Sequence, residues 1–147
     1  MRTDFTDILH SVSGSSLAGA ELRHFAMRQL ANLPHYNWSG IYRLEGETLV
    51  LDEYVGAETD HTHIPVGRGV CGTAVAEDRN QIVEDVTKLD NYLACSLTTK
   101  SEIVVLIRRD DQVIGQIDID GHEIDAFDQE DEQFLEKLGD LLAQRWN

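Results

Sequence analysis

Apolar positions along the chain change period twice, and each change marks a change of element. Between Thr3 and Leu33, Ile8, Leu9, Val12, Leu17, Leu22, Phe25, Ala26 and Leu30 recur every three or four residues, with a polar break around Ser13, Gly14, Ser15 and Ser16. That spacing predicts two helices joined at the break. After Pro34 the residue types become β-branched and aromatic, and Tyr36 to Leu44 and Thr48 to Val55 flank the turn residues Glu45, Gly46 and Glu47, which predicts a hairpin. Residues 56–67 read as a polar loop ending in Ile64, Pro65, Val66 and Gly67. Gly69 to Ala76 reads as a short helix that starts at a glycine-rich bend with Cys71 in its first turn.

Farther on, Gln81 to Asp85 reads as a short strand, and Val86 to Lys100 as an irregular loop carrying Cys95. Ser101 to Ile107 and Val113 to Asp120 are the strongest strand candidates. A final helix is predicted from about Gln129 to Trp146. Asp128 is placed to cap it, Glu130, Asp131 and Glu132 suit its positive end, and Phe134, Leu135, Leu138, Leu141 and Leu142 form one apolar stripe. Helices at both ends around consecutive strands predict an α+β fold. Its antiparallel central sheet carries the N- and C-terminal helices on one face and is covered by loops, 56–70 and 86–100, on the other. A ligand belongs in the concavity under those loops.

Strand pairing decides which polar residues share the loop-covered face, because a one-residue slip reverses every side chain. A three-residue loop, Arg109 to Asp111, or an equivalent bulge, puts Ile103, Val105 and Ile107 together with Ile117, Gly115 and Val113 on an apolar face, and Val104, Leu106, Gln116 and Ile114 with Glu102 and Asp118 on the other. The same pairing places Glu102 opposite Asp118, with Asp120 two residues farther on the same face. A two-residue turn at Asp110 and Asp111 would mix polar and apolar residues on both faces. Three carboxylates converging at one end of a sheet raise one another's pKa, so the group holds a proton or binds a cation.

With 147 residues, 41% of them apolar, the chain is expected to be a single domain over residues 1–147. A formal charge of −15, with Arg108 and Arg109 as the only adjacent basic pair, argues against nucleic acid or an anionic membrane as partner. No apolar run approaches the length of a membrane span and the start has no secretory signal, so a cytoplasmic protein is expected. Two cysteines are too few for a disulfide scaffold in a domain of this size, and such a thiol pair is catalytic, redox-sensing or simply buried. His61 and His63 lack further spaced ligands and read as solvated loop residues, with no metal site expected. Gly67, Gly69 and Gly72 permit a tight bend but are not a phosphate loop, because no Gly-Lys-Ser or Gly-Lys-Thr follows.

Four segments stand in an order that resembles the GAF-domain free methionine-(R)-sulfoxide reductases. They are Asn37-Trp38-Ser39-Gly40-Ile41-Tyr42, the stretch Ile64-Pro65-Val66-Gly67-Arg68-Gly69-Val70-Cys71-Gly72-Thr73-Ala74, Leu93-Ala94-Cys95 with Ser101-Glu102-Ile103-Val104, and Ile117-Asp118-Ile119-Asp120. The resemblance implies reduction of the R epimer of free methionine sulfoxide by thiols, with a thioredoxin-type or other thiol reductant and no bound cofactor. It implies Cys95 as the attacking thiol, Cys71 or an external thiol as resolver, and Glu102 as a proton donor. Asp118 and Asp120 would hold the substrate ammonium, and Trp38 and Tyr42 would form an aromatic wall around the methyl-sulfur end. A homodimer is compatible with it.

The chain departs from the family pattern at three positions. His61 stands where family members typically carry a third cysteine, Ser96 where Asp is usual and Leu106 where Pro is usual. The alternative is a non-catalytic GAF module that binds a small molecule or senses redox state. Sensor GAF domains normally adjoin an output domain, so a chain closing just after its terminal helix leads to the expectation of an enzyme.

Overall fold

Apolar periodicity places the helices where the sequence suggests. In the computed structural model, which describes residues 1–89 and 98–147, α1 (Thr3–Gly14) and α2 (Gly19–Leu30) are separated by the expected break. There the Leu17 amide donates to Ser15 Oγ at 3.1 Å, and Gly19 adopts a positive φ of 58°. Phe5, Ile8 and Val12 of α1, with Leu22, Ala26, Met27 and Leu30 of α2, point inward. The last helix, α4 (Gln129–Gln144), begins at a capping box in which Asp128 accepts from the Glu130 and Asp131 amides, and Asp131 accepts from the Asp128 amide. Its inner face is Phe134, Leu135, Leu138 and Leu142. Tyr36 lies just before the first strand and donates its hydroxyl to Asp131 at 2.6 Å, tying the cap to the core. No described helix is long and apolar enough to cross a membrane.

Among the described residues six strands form one sheet in the order β3-β2-β1-β6-β5-β4, with each neighbouring pair antiparallel. They are β1 (Trp38–Glu45), β2 (Thr48–Val55), β3 (His63–Pro65), β4 (Gln81–Val83), β5 (Ser101–Arg109) and β6 (Gln112–Gly121). On one face Ile41, Ile103, Val105, Ile107, Ile117 and Ile119 pack with α1, α2 and α4 into the larger core. On the other, Trp38, Tyr42, Val104 and Leu106 meet Ile64 and the residues Val70, Cys71 and Ala74 of α3 (Gly69–Glu77). The segment 56–67, expected as loop throughout, contains β3. Its one buried residue, Ile64, lies between exposed neighbours, too short a stretch to register as an alternating pattern.

The β5–β6 hairpin corrects the expected pairing. The turn has two residues, Asp110 and Asp111, both with positive φ (53° and 66°), as a tight hairpin turn matched to strand twist requires. An irregularity between Ile107 and Arg108 leaves Ile114 as the extra residue, with Arg108 opposite Val113 and Ile107 opposite Gly115. Turn and bulge together restore the expected faces for 101–107 and 115–120 but displace the partners, and the two residues at the bulge exchange faces: Ile114 packs against the helix-side core and Val113, expected there, against the smaller core. Glu102 is opposite Asp120, not Asp118, and Val104 is opposite Asp118. The three carboxylates remain on one face because the net displacement is two residues.

Candidate active site

Glu102 enters near the start of β5, and Asp118 and Asp120 near the end of β6, next to β1, where Gly40 pairs with Asp118 and Trp38 with Asp120. All three are buried: Glu102 is 3% exposed, Asp118 0% and Asp120 1%. Strands β5 and β6 are interior to the sheet, and α3 covers this face, so the acids are held from water by the same packing that forms the smaller core.

The start of α3 is fastened over the acids. Gln116, buried on β6, donates Nε2 to the Cys71 carbonyl at 3.1 Å. The Gly67 amide donates to the Gly72 carbonyl at 2.9 Å, and the Gly72 amide to the Arg68 carbonyl at 2.8 Å. This close approach needs a residue without a side chain, since a Cβ on Gly72 would stand 2.6 Å from the Pro65 carbonyl oxygen and 2.9 Å from the Gly67 nitrogen. Both obstacles are backbone. Gly72→Ala is therefore expected to destabilise the fold by about 1–3 kcal/mol, the usual range for overpacking, despite alanine's better helix propensity. Thermal unfolding checks the sign, and an unchanged or higher midpoint contradicts the close-approach argument.

Cys71, 5% exposed, points its Sγ to within 4.0 Å of Glu102 Oε2. The ligand-capable atoms of Cys71, Glu102 and Asp118 all lie within 4.8 Å of one another. Burial, and next the negative charges of Asp118 and Asp120, push the Glu102 carboxyl well above its ordinary value. Burial also raises Asp118, while the adjacent Glu102 carboxyl and Cys71 thiol favour its charged form. Both carboxyls are thus pushed toward the protonated form, Glu102 the more strongly.

A small cavity opens here, lined among the described residues by His61, Ile64, Arg68, Gly69, Val70, Cys71, Glu102 and Asp118. Its volume of about 10 Å³ is room for about one water. The structure thus brings Cys71, Glu102, Asp118 and Asp120 together. Trp38 and Tyr42 share the acid-bearing face but neither lines the cavity. The Trp38 ring stacks on Tyr54 with centroids 5.6 Å apart, donates Nε1 to the Ala57 carbonyl at 2.8 Å, and leaves no room for a Cβ at Gly40 or Gly56. Tyr42, fully buried, donates its hydroxyl to the His61 carbonyl at 2.8 Å. Cys95 lies outside the described residues.

The sequence reading missed His61. Taken as a solvated loop histidine, it is partly buried and forms part of the cavity wall. Its occupancy of the family's third-cysteine position was the one signal in the sequence that could have placed it there.

The GAF domain family model matches residues 20–146. The free methionine-R-sulfoxide reductase of Escherichia coli (strain K12) is 39% identical over 142 residues, covering 93% of this chain and 86% of that protein. Among solved structures, fRMsr of Staphylococcus aureus in its reduced form is 35% identical with a TM-score of 0.90, covering 99% of this chain and 97% of that one. The free methionine-R-sulfoxide reductase of Neisseria meningitidis in complex with its substrate is 30% identical with a TM-score of 0.87, covering 97% of this chain and 85% of that one.

Proposed function

The chain belongs to the GAF-domain family of free methionine-(R)-sulfoxide reductases, and from that premise we propose that it reduces free L-methionine-(R)-sulfoxide to methionine by thiol chemistry. The observation that carries this reading is the buried convergence of a thiol with a carboxyl whose burial favours its protonated form. Cys71 Sγ stands 4.0 Å from Glu102 Oε2, and Asp118 and Asp120 complete the same wall. Sulfoxide reduction needs a sulfur nucleophile beside a proton source, and a site shut away from water strengthens each electrostatic contact within it.

The Cys95 thiolate attacks the sulfoxide sulfur. Glu102 protonates the oxygen, which passes to the cysteine, giving methionine and a Cys95 sulfenic acid. The Cys71 thiol, or an external thiol, then displaces that oxygen as water and forms a disulfide, and a thioredoxin-type dithiol reduces the disulfide by exchange. Two thiol hydrogens and one oxygen leave as water for each methionine formed. Asp118 and Asp120 hold the substrate ammonium and backbone amides in the loop before Cys71 receive its carboxylate, while Trp38 and Tyr42, which share the acid-bearing face but do not line the cavity, reach the methyl-sulfur end only once the site widens.

A molecule the size of methionine sulfoxide exceeds a one-water cavity, so binding has to widen the site. His61 in place of the third cysteine supports resolution by Cys71 or from outside the protein. Mixing the reduced protein with one equivalent of the R epimer, without added reductant, tests the thiol steps. One methionine per chain and the loss of two titratable thiols are expected when Cys71 resolves, and the loss of one when an external thiol does. Absence of methionine contradicts the reading.

A further inference from the structure

The corner at Cys71 holds a donor set suited to something smaller than an amino acid. The donor atoms of Cys71, Glu102 and Asp118 are mutually within 4.8 Å and all three residues are buried. Asp118 has no solvent exposure, and its carboxylate oxygens find no hydrogen-bond partner outside the Cys71 and Glu102 side chains of the cluster itself. A fully buried carboxylate whose only donors are another acid and a thiol is costly unless a proton or a cation compensates it. Both compensations are open to this cluster: the Glu102 proton supplies the first, and the cavity offers space for the second.

Tetrahedral zinc, with bonds of about 2.3 Å to sulfur and about 2.0–2.2 Å to oxygen, sets neighbouring ligand atoms about 3.3–3.8 Å apart. The Cys71 to Glu102 separation of 4.0 Å is within a few tenths of an ångström of that geometry. His61 lines the same cavity but stands outside the group of donors within 4.8 Å of one another, so its imidazole, a regular partner of thiolate on zinc, completes the site by turning toward the ion. Room for about one water is room for an ion that sheds its hydration shell onto these ligands.

We propose that in the reduced protein Cys71, Glu102 and Asp118, with His61 as fourth ligand, bind one Zn2+ or a similar borderline divalent cation. The thiol and imidazole select against Mg2+ and Ca2+, which prefer oxygen-only sites. On binding, the Cys71 thiol and the Glu102 carboxyl each release a proton to solvent while the metal takes their electron pairs, with no change of oxidation state. Because Glu102 and Asp118 are also the groups assigned to substrate, the ion excludes methionine sulfoxide and holds the reductase inactive until a chelator removes it. That inhibition rests on the proposed activity; the ion site itself does not.

The test titrates the chelator-treated protein, kept reduced with a phosphine instead of dithiothreitol, with Co2+ and then Zn2+. One equivalent of Co2+ is expected to give a near-ultraviolet thiolate-to-cobalt band that Zn2+ discharges. The band should persist in Cys95→Ser, vanish in Cys71→Ser, and require at least about tenfold more metal in Asp118→Asn and in His61→Gln. No band in the wild type, a band surviving Cys71→Ser, or one lost in Cys95→Ser overturns the site, and unchanged affinity in His61→Gln overturns the fourth ligand. Zinc K-edge absorption of the wild type decides without any variant: one sulfur among lighter donors is expected, and two sulfurs or none contradict the proposal.

Discussion

Replacing Glu102 by Gln is expected to lower kcat/KM for free L-methionine-(R)-sulfoxide by at least about 10²-fold while making the folded protein more stable at neutral pH. Both effects have one origin. Burial and the charges of Asp118 and Asp120 hold the Glu102 carboxyl protonated well above its ordinary value of 4.5, which makes it a proton donor and an expensive acid to ionise. The sign follows from comparing folded and unfolded chains. Below about pH 4.5 both states carry the proton and the contribution is fully present. As pH rises, the unfolded chain releases the proton first, so stability falls until the folded-state pKa is passed. Gln cannot ionise and removes that slope. Thermal unfolding from about pH 5 to about pH 8 should show a declining midpoint for the wild type and a flatter, higher one for Glu102→Gln. A variant less stable than the wild type at the alkaline end, or one that keeps its activity, contradicts a proton held on Glu102.

Cys95→Ser is expected to remove turnover by at least about 10³-fold with any reductant, on the scale seen when an enzyme loses its nucleophile. A serine hydroxyl neither ionises at neutral pH nor forms a sulfenic acid. Cys71→Ser separates the steps. It should still form methionine in the first turnover but stall with a Cys95 sulfenic acid that dimedone captures, and external thiols should relieve the stall. First-turnover methionine lost in Cys71→Ser and kept in Cys95→Ser would move the nucleophile to Cys71, whose Sγ lies 4.0 Å from Glu102 Oε2.

Much of this arrangement was legible in residue order because burial enforces periodicity. The three- and four-residue spacing of α1, α2 and α4 and the alternation of β5 and β6 assigned Ile103, Val105, Ile107 and Ile117 to the helix-covered face, where they are found. Alternation determines faces but not partners. A displacement of two residues leaves the side chains beyond the bulge on their expected side of the sheet, so Glu102 could be grouped with Asp118 and Asp120 while its partner across the ladder was misassigned and Val113 and Ile114, at the bulge itself, exchanged faces. The actual pairing depends on a tight two-aspartate turn and on Ile114 as an extra residue, and bulges leave no periodic trace.

Other features depend on tertiary contact. The three residues of β3 become a strand only against β2, and His61 reaches the cavity wall in a loop whose backbone carbonyl takes the hydroxyl of buried Tyr42. Trp38 sits on the acid-bearing face as its even spacing from Tyr42 suggested. Its seat against Gly40, Gly56 and Tyr54 comes from glycines and an aromatic that are close only in the folded chain.

The most direct test of the central claim is NADPH consumption with thioredoxin and thioredoxin reductase, supplied separately with free L-methionine-(R)-sulfoxide and with the S epimer, and repeated with dithiothreitol as reductant. The account predicts turnover of the R epimer, none of the S epimer, and none of either by Cys95→Ser. Failure of the wild type to turn over the R epimer with either reductant would contradict it and leave a GAF module that binds a small molecule without reducing it.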